Sequence, residues 1–177
     1  MRWILRLLAG LVILVGVLLL VGFFLPREVS VARSVVIDAP PEEIFPHVNS
    51  MNATQNWSPW LARDPDIQVS YEGPESGVGN KMSWTSEVRS VGSGTQEIIT
   101  STENELVETA LDFGPQGSAQ AAFTLTPMGD STEVTWGFVT DMGGNPVGRW
   151  MGLMMDSWIG ADYEAGLANL KALVEDA

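Results

Sequence analysis

The feature that most constrains this chain is a stretch without charge. Leu7 to Leu25 contains no Asp, Glu, Lys or Arg and is almost wholly apolar. At about 1.5 Å per residue such a helix reaches roughly 28 Å, close to the hydrocarbon thickness of a bilayer. Trp3 and Ile4 extend the segment at its start, and Phe23 and Phe24 stand near its end. A secretory signal has a shorter apolar region and a small-residue cleavage site. Ser30-Val31-Ala32 is the one weak candidate for such a site. The stretch therefore reads as an uncleaved anchor, with residues 3–25 in the membrane. Residues 1–26 form the anchoring unit and residues 27–177 the remaining domain.

Basic residues barely orient this span. Arg2 and Arg6 precede it and Arg27 and Arg33 follow it, which leaves the positive-inside count tied. The very short N-terminal tail tips the reading towards N-terminus inside. The domain is then expected in a periplasm or an equivalent extracytoplasmic space.

The 177 residues leave room for one domain of ordinary size beside the anchor. Cysteine is absent, which excludes disulfides, thiolate zinc sites and cysteine nucleophiles. His47 is the single histidine, so no His-rich metal site can be built, and no metal or cofactor is expected. The formal net charge of −13 excludes a nucleic-acid binder, because phosphate neutralisation needs clustered Lys and Arg. Anionic lipid would repel so acidic a surface, which leaves the anchor to hold the domain at the membrane.

Beyond the anchor, Val29, Val31, Arg33, Val35 and Ile37 alternate with Ser30, Ala32, Ser34, Val36 and Asp38. Period two with β-branched residues predicts a strand. Pro40-Pro41-Glu42-Glu43 starts a helix, with proline in the first turn and acids facing the dipole. Ile44, Phe45 and Val48 supply its buried side, and Pro46 keeps it short or bent. A second short helix is expected over residues 52–60, broken at Ser58-Pro59. From Asp66 to Asp141 the pattern is strands separated by Gly-rich turns. The inward sets are Ile67, Val69, Tyr71; Met82, Trp84, Ser86, Val88; Val107, Thr109, Leu111, Phe113; Ala119, Ala121, Phe123, Leu125; and Thr132, Val134, Trp136, Phe138. With Thr95–Thr102 and the first strand this makes seven, the last six an antiparallel meander.

After the Gly143-Gly144 loop a long helix is expected over residues 147–175. Met151, Met154, Trp158, Ala161, Ala165, Ala168 and Ala172 follow steps of three and four. Met155, Ile159, Tyr163, Leu167, Leu170 and Val174 form a second stripe beside them. So wide an apolar arc predicts that a curved sheet grips the helix.

Strand, two short helices, six strands and a long helix make an α+β helix-grip arrangement. The chain resembles the SRPBCC (START/Bet v1-like) superfamily, and in particular its polyketide cyclase/dehydrase-like bacterial members. The resemblance is carried by Val36-Ile37-Asp38-Ala39-Pro40-Pro41-Glu42-Glu43-Ile44-Phe45, by Asn56-Trp57-Ser58-Pro59-Trp60, by Gly77-Val78-Gly79-Asn80-Lys81-Met82-Ser83-Trp84, and by the closing segment from Gly160 to Lys171. It covers roughly residues 29–175. It implies a cavity between sheet and closing helix that takes an apolar molecule such as a lipid, quinone, sterol or polyketide. The residues expected to line it are Trp84, Leu111, Phe123, Trp136, Met151, Met154, Trp158, Asp162, Ala165 and Asn169.

Within that set Asp162 and Asn169 share a helix face seven residues apart. Either they orient or protonate a ligand, or they bond to backbone of a facing segment. Trp57 and Trp60 form a mouth or cap the barrel end, and Met151, Met154 and Met155 beside the glycine loop form a gate or loose core packing. His47 is expected exposed and without a role. Glu103, Glu105, Glu108, Asp64 and Asp66 fit no metal loop. Three functions follow. The first is a membrane-tethered binder of a hydrophobic small molecule or lipid. The second is a cyclase/dehydrase-type enzyme with Asp162 as acid/base. The third is an envelope interaction module without ligand.

Overall fold

The computed structural model describes residues 2–176. Helix α1, Arg2–Gly22, has 21 residues and a mean hydropathy of 2.9. It is long and apolar enough to cross a membrane, and its large side chains are exposed along its length. The chain then forms β1 (Glu28–Ile37), α2 (Pro41–Val48), two single 3-10 turns (Ala53–Asn56 and Leu61–Arg63), β2 (Gln68–Glu72), β3 (Lys81–Thr85), β4 (Ser93–Thr102), β5 (Leu106–Asp112), a 3-10 turn (Gly114–Gln116), β6 (Ser118–Met128), β7 (Ser131–Asp141), α3 (Pro146–Gly152) and α4 (Met155–Glu175).

All seven strands make one antiparallel sheet in the order β1-β7-β6-β5-β4-β3-β2. Consecutive strands pair as hairpins, and only β1 joins out of sequence, against β7. The alternation read from the sequence sets the inner face. Val31 and Ile37 of β1, Ala119 to Leu125 of β6 and Val134 to Phe138 of β7 are buried at every second position. With α4 against the inner face, this is the helix-grip fold.

Three expectations need correction. The third strand stops at Thr85, short of Val88. There the Ser86 hydroxyl accepts from the Val88 N–H at 3.0 Å, a local turn that competes with the ladder. The closing helix is two helices, because Gly152 packs its bare Cα against Val29 and Met142. The Met154 N–H then bonds back to Met151 O at 2.9 Å, and α4 starts afresh. Last, the apolar arc on α4 is narrower than expected. Tyr163, Leu167, Leu170 and Val174 are buried, with Gly160 and Gly166 beside them, whereas Ala161, Ala165, Ala168 and Ala172 face solvent. Alanine favours helix wherever it lies, so it signals helix and not burial.

Charge fixes α4 along β1. Arg33 points inwards from β1 and lies over Gly160, where any Cβ would meet its guanidinium. It bonds Asp156 at 2.9 Å and Glu164 at 2.7 Å, one helical turn to each side of that glycine. The bond from Arg33 holds the Asp156 carboxyl below its usual range. At the far end the Glu175 carboxylate accepts the Asp38 N–H at 2.8 Å and pairs with Lys171 at 2.8 Å. Both contacts lower the Glu175 pKa, the backbone N–H foremost.

These carboxyls have folded pKa values below their unfolded ones. Their stabilisation is therefore complete above the unfolded values of about 4 and is lost as pH falls through the folded ones. We expect the urea midpoint to fall between neutral pH and about pH 3, and to fall less in an Asp156→Asn, Glu175→Gln variant. Equal slopes in the two proteins would show that the clamps do not set acid stability.

Candidate functional site

The concave face divides into two halves. In the half away from α1 it is filled by aromatic rings. Trp136 of β7 stacks on Tyr163 of α4 with ring centres 3.8 Å apart and planes 10° from parallel. Phe123 stacks on its other flank at 4.8 Å. Trp57 and Trp60 meet Trp136 edge-on at 5.3 Å and 5.5 Å. Gly166 makes the room, since a Cβ there would lie 2.8 Å from the Trp136 ring. Burial pushes the Tyr163 hydroxyl well above its ordinary value.

Two polar groups of α4 hold this plug in place. Asp162 accepts from Trp60 Nε1 at 3.1 Å and forms an ion pair with Arg63. Asn169 Nδ2 donates to Trp57 O at 3.1 Å. Both therefore bind the 57–63 segment to the helix. Trp57 is buried within the core and donates to His47 O at 3.0 Å, so it closes the barrel end. His47 itself is half-buried on α2.

Towards α1 the lining changes character. Register places Gln96, Leu111, Ala119 and Thr140 in one cross-strand row. Thr109, Ala121 and Phe138 form the next. Five of these seven residues, Gln96, Thr109, Ala119, Ala121 and Thr140, are small or polar, with Leu111 and Phe138 among them. Gln96 Nε2 donates to Thr109 Oγ1 at 2.9 Å, a polar pair in an apolar floor. Leu111, Phe113 and Trp84 border the floor on one side, half-buried, with Trp84 and Phe113 edge to face at 6.0 Å. Met155 and Ile159 of α4 are half-buried against the same core. Among the described residues no acceptor meets the buried Trp136 indole N–H.

Of the residues expected to line a cavity, Trp84, Leu111, Phe123 and Trp136 do lie on the concave face. Met151, Met154, Trp158, Ala165 and Asn169 are exposed, on the side of α3 and α4 turned from the sheet. Asp162 is half-buried at the edge. Gln96, Thr109, Phe113, Met155 and Ile159 take the places that those residues were expected to fill. Helical periodicity could have found Met155 and Ile159, which belong to the stripe of Tyr163. Gln96 and Thr109 meet only through strand register. Two open hollows occur elsewhere. One of about 530 Å³ lies on the outer sheet face around Lys81, Glu97 and Asp112. The other, about 560 Å³, is bounded by Ser50, Tyr71, Pro74 and Asn80.

An antiparallel sheet closed over a long helix, with an apolar interior, defines the Bet v1-like class. Solved structures agree. Truncated norcoclaurine synthase from Thalictrum flavum superposes with a TM-score of 0.66 at 13% identity, over 85% of this chain and 95% of that one. The di-domain aromatase/cyclase StfQ of the steffimycin pathway gives 0.62 at 8% identity, over 85% of this chain and 51% of the larger protein. Protein CV1439 from Chromobacterium violaceum gives 0.57 at 18% identity, over 82% and 97%. No curated protein sequence matches the chain. The family model described as polyketide cyclase/dehydrase and lipid transport matches residues 28–175, and the chain belongs to that family.

The stack makes Gly166 the position most sensitive to a small change. Alanine there gains helix propensity of about 1 kcal/mol but forces a methyl into a ring with no freedom to move, at about 1–3 kcal/mol. Gly166→Ala is expected to lower unfolding free energy in urea by up to about 2 kcal/mol, whereas the exposed Ala165→Gly loses only propensity. A more stable Gly166→Ala protein would show that the ring packing is loose.

Proposed function

We infer that the protein holds a hydrophobic small molecule or lipid on its concave face and is tethered to a membrane by α1. The observation that carries this is the change of lining along that face. Rings close one half, whereas Gln96, Thr109, Ala119 and Ala121 floor the other between the half-buried Trp84, Leu111 and Phe113 and the start of α4. Apolar walls with a few placed polar groups are what a small-molecule site requires. Gln96 and Thr109 would receive a ligand with a hydrogen-bonding head, such as a carbonyl or carboxyl, on an apolar body. Membership of a family described by cyclase, dehydrase and lipid transport supports the same ligand class.

Tethering is supported by the length, hydropathy and exposure of α1. Residues 1–26 act as the anchor and 27–177 as the binding domain, with the N-terminus inside and the domain beyond the membrane. Asp162, on which a catalytic reading would rest, spends its oxygens on Arg63 and Trp60. Carriage is therefore the better reading.

Native mass spectrometry of the full chain, released gently from detergent, tests it. A defined extra mass is expected that organic solvent removes. Ala121→Phe, which puts a ring on the floor, should lose that mass while keeping the circular dichroism spectrum and any lipid bound to α1. An extra mass that Ala121→Phe retains, or no binding from a panel of fatty acids, phospholipids and quinones, would sink the proposal.

A further inference from the structure

Helix α1 does not stand free of the domain. Its end is seated on α3. Trp150 Nε1 donates to Leu18 O at 2.9 Å, a full turn inside the end of α1. Arg149 donates to Phe23 O at 2.5 Å and to Leu25 O at 3.3 Å, in the segment that follows α1. Gly22 is the contact point, since a Cβ there would lie 2.7 Å from Pro146 and 3.1 Å from the Trp150 ring. Asn145 starts α3 at this spot by accepting the Val147 N–H at 2.9 Å.

The other side of α3 and the first turn of α4 are bare and apolar. Val147 is 51% exposed, Met151 47%, Leu153 57%, Met154 46% and Trp158 47%. The charges in this segment are engaged elsewhere, Arg149 on the end of α1 and Asp156 on Arg33. In a chain of net charge −13 this is a neutral apolar surface beside the most apolar helix of the molecule. Large exposed apolar patches mark interaction surfaces. Continuity with α1 decides which kind. A helix fixed alongside residues 18–25 of a spanning segment lies at the headgroup–acyl boundary, the depth that apolar helix faces with Trp and Met occupy.

We propose that α3 and the start of α4 are a second membrane contact, immersed in the interfacial layer of the bilayer beside α1. This rests on the reading of α1 as a spanning anchor. The domain is then seated on the membrane in one orientation, and does not swing on a linker. Its charge prevents an electrostatic attachment, so the contact is made by apolar side chains alone.

The chain has no cysteine, so single probes can be placed freely. Leu153→Cys, Leu14→Cys and Glu103→Cys, all at exposed positions, are labelled with bimane in the full chain. The proteins are reconstituted into phosphatidylcholine vesicles with a doxyl group near the headgroup or deep in the acyl chain. The probe at 14 should be quenched by the deep group. The probe at 153 should lose at least about half its emission to the shallow group, and the probe at 103 none. A probe at 153 that behaves like the one at 103, while that at 14 is quenched, overturns the seat and leaves the anchor standing. A probe at 14 that is not quenched overturns both. Met151→Cys repeats the measurement should Leu153→Cys fold poorly.

Discussion

Trp136 lying flat on Tyr163 is the contact around which the rest of the molecule is arranged. The rings are 3.8 Å apart, and a strand and a helix can approach so closely only where one of them gives up a side chain. Gly166 does so on α4. Gly160 does the same for Arg33 one register further along β1, and Gly152 for Val29 at the start. Three glycines therefore let the helices descend onto the sheet at graded positions. The ion pairs of Arg33 then set the rotation of α4. Once the helix is pinned to the β1 and β7 side, β3 to β5 must close their inner face with something else. They use the 57–63 segment at one end and little beyond half-buried side chains at the other.

That asymmetry gives the fold a ring-filled half and a half floored by Gln96, Thr109, Ala119 and Ala121. A filled interior argues against a capacious internal chamber, and the ring cluster is such a filling. The remaining half is small-floored and apolar-walled, which suits a ligand lying between α4 and the hairpin of β5 and β6. The buried Trp136 N–H belongs to the ring-filled half.

The sheet was legible in the sequence because β-branched alternation is a local signal with a fixed period. Val29 to Ile37 carries it without help from any other segment. The inward stripe of α4 was half legible. Tyr163, Leu167, Leu170 and Val174 stand out by their spacing, but the alanines and methionines share it, and spacing does not weigh Gly160 and Gly166. Counting glycines as places of close approach would have turned the helix correctly. It would also have put Trp158 and Met154 outside. Asp162 could not be resolved by periodicity, since its partners Trp60 and Arg63 lie some hundred residues away in sequence. Gln96 and Thr109 were hidden for a related reason. One pairs with the other only because a bulge after Ile98 sets the register of β4 on β5.

The same glycine logic joins the anchor to the domain. Gly22 admits Pro146 and Trp150 as Gly166 admits Trp136, so α1 meets α3 closely at this one point of its last turn. Arg149 reinforces this by holding the Phe23 and Leu25 carbonyls just past α1. A loosely tethered acidic domain would sample positions away from an anionic surface, since repulsion is long-ranged and contact is not. A domain bolted to its anchor cannot. With α1 in a bilayer, the proposed seat would keep the apolar face of α3 at the boundary whatever the lipid charge. The half-open end of the sheet, where the turn at residues 114–117 and the end of β7 meet, is on the same side as α1 by strand register. A molecule leaving the bilayer would then reach Leu111 and Phe113 with little of its surface passing through water, and the acidity of the rest of the domain would be no obstacle to loading.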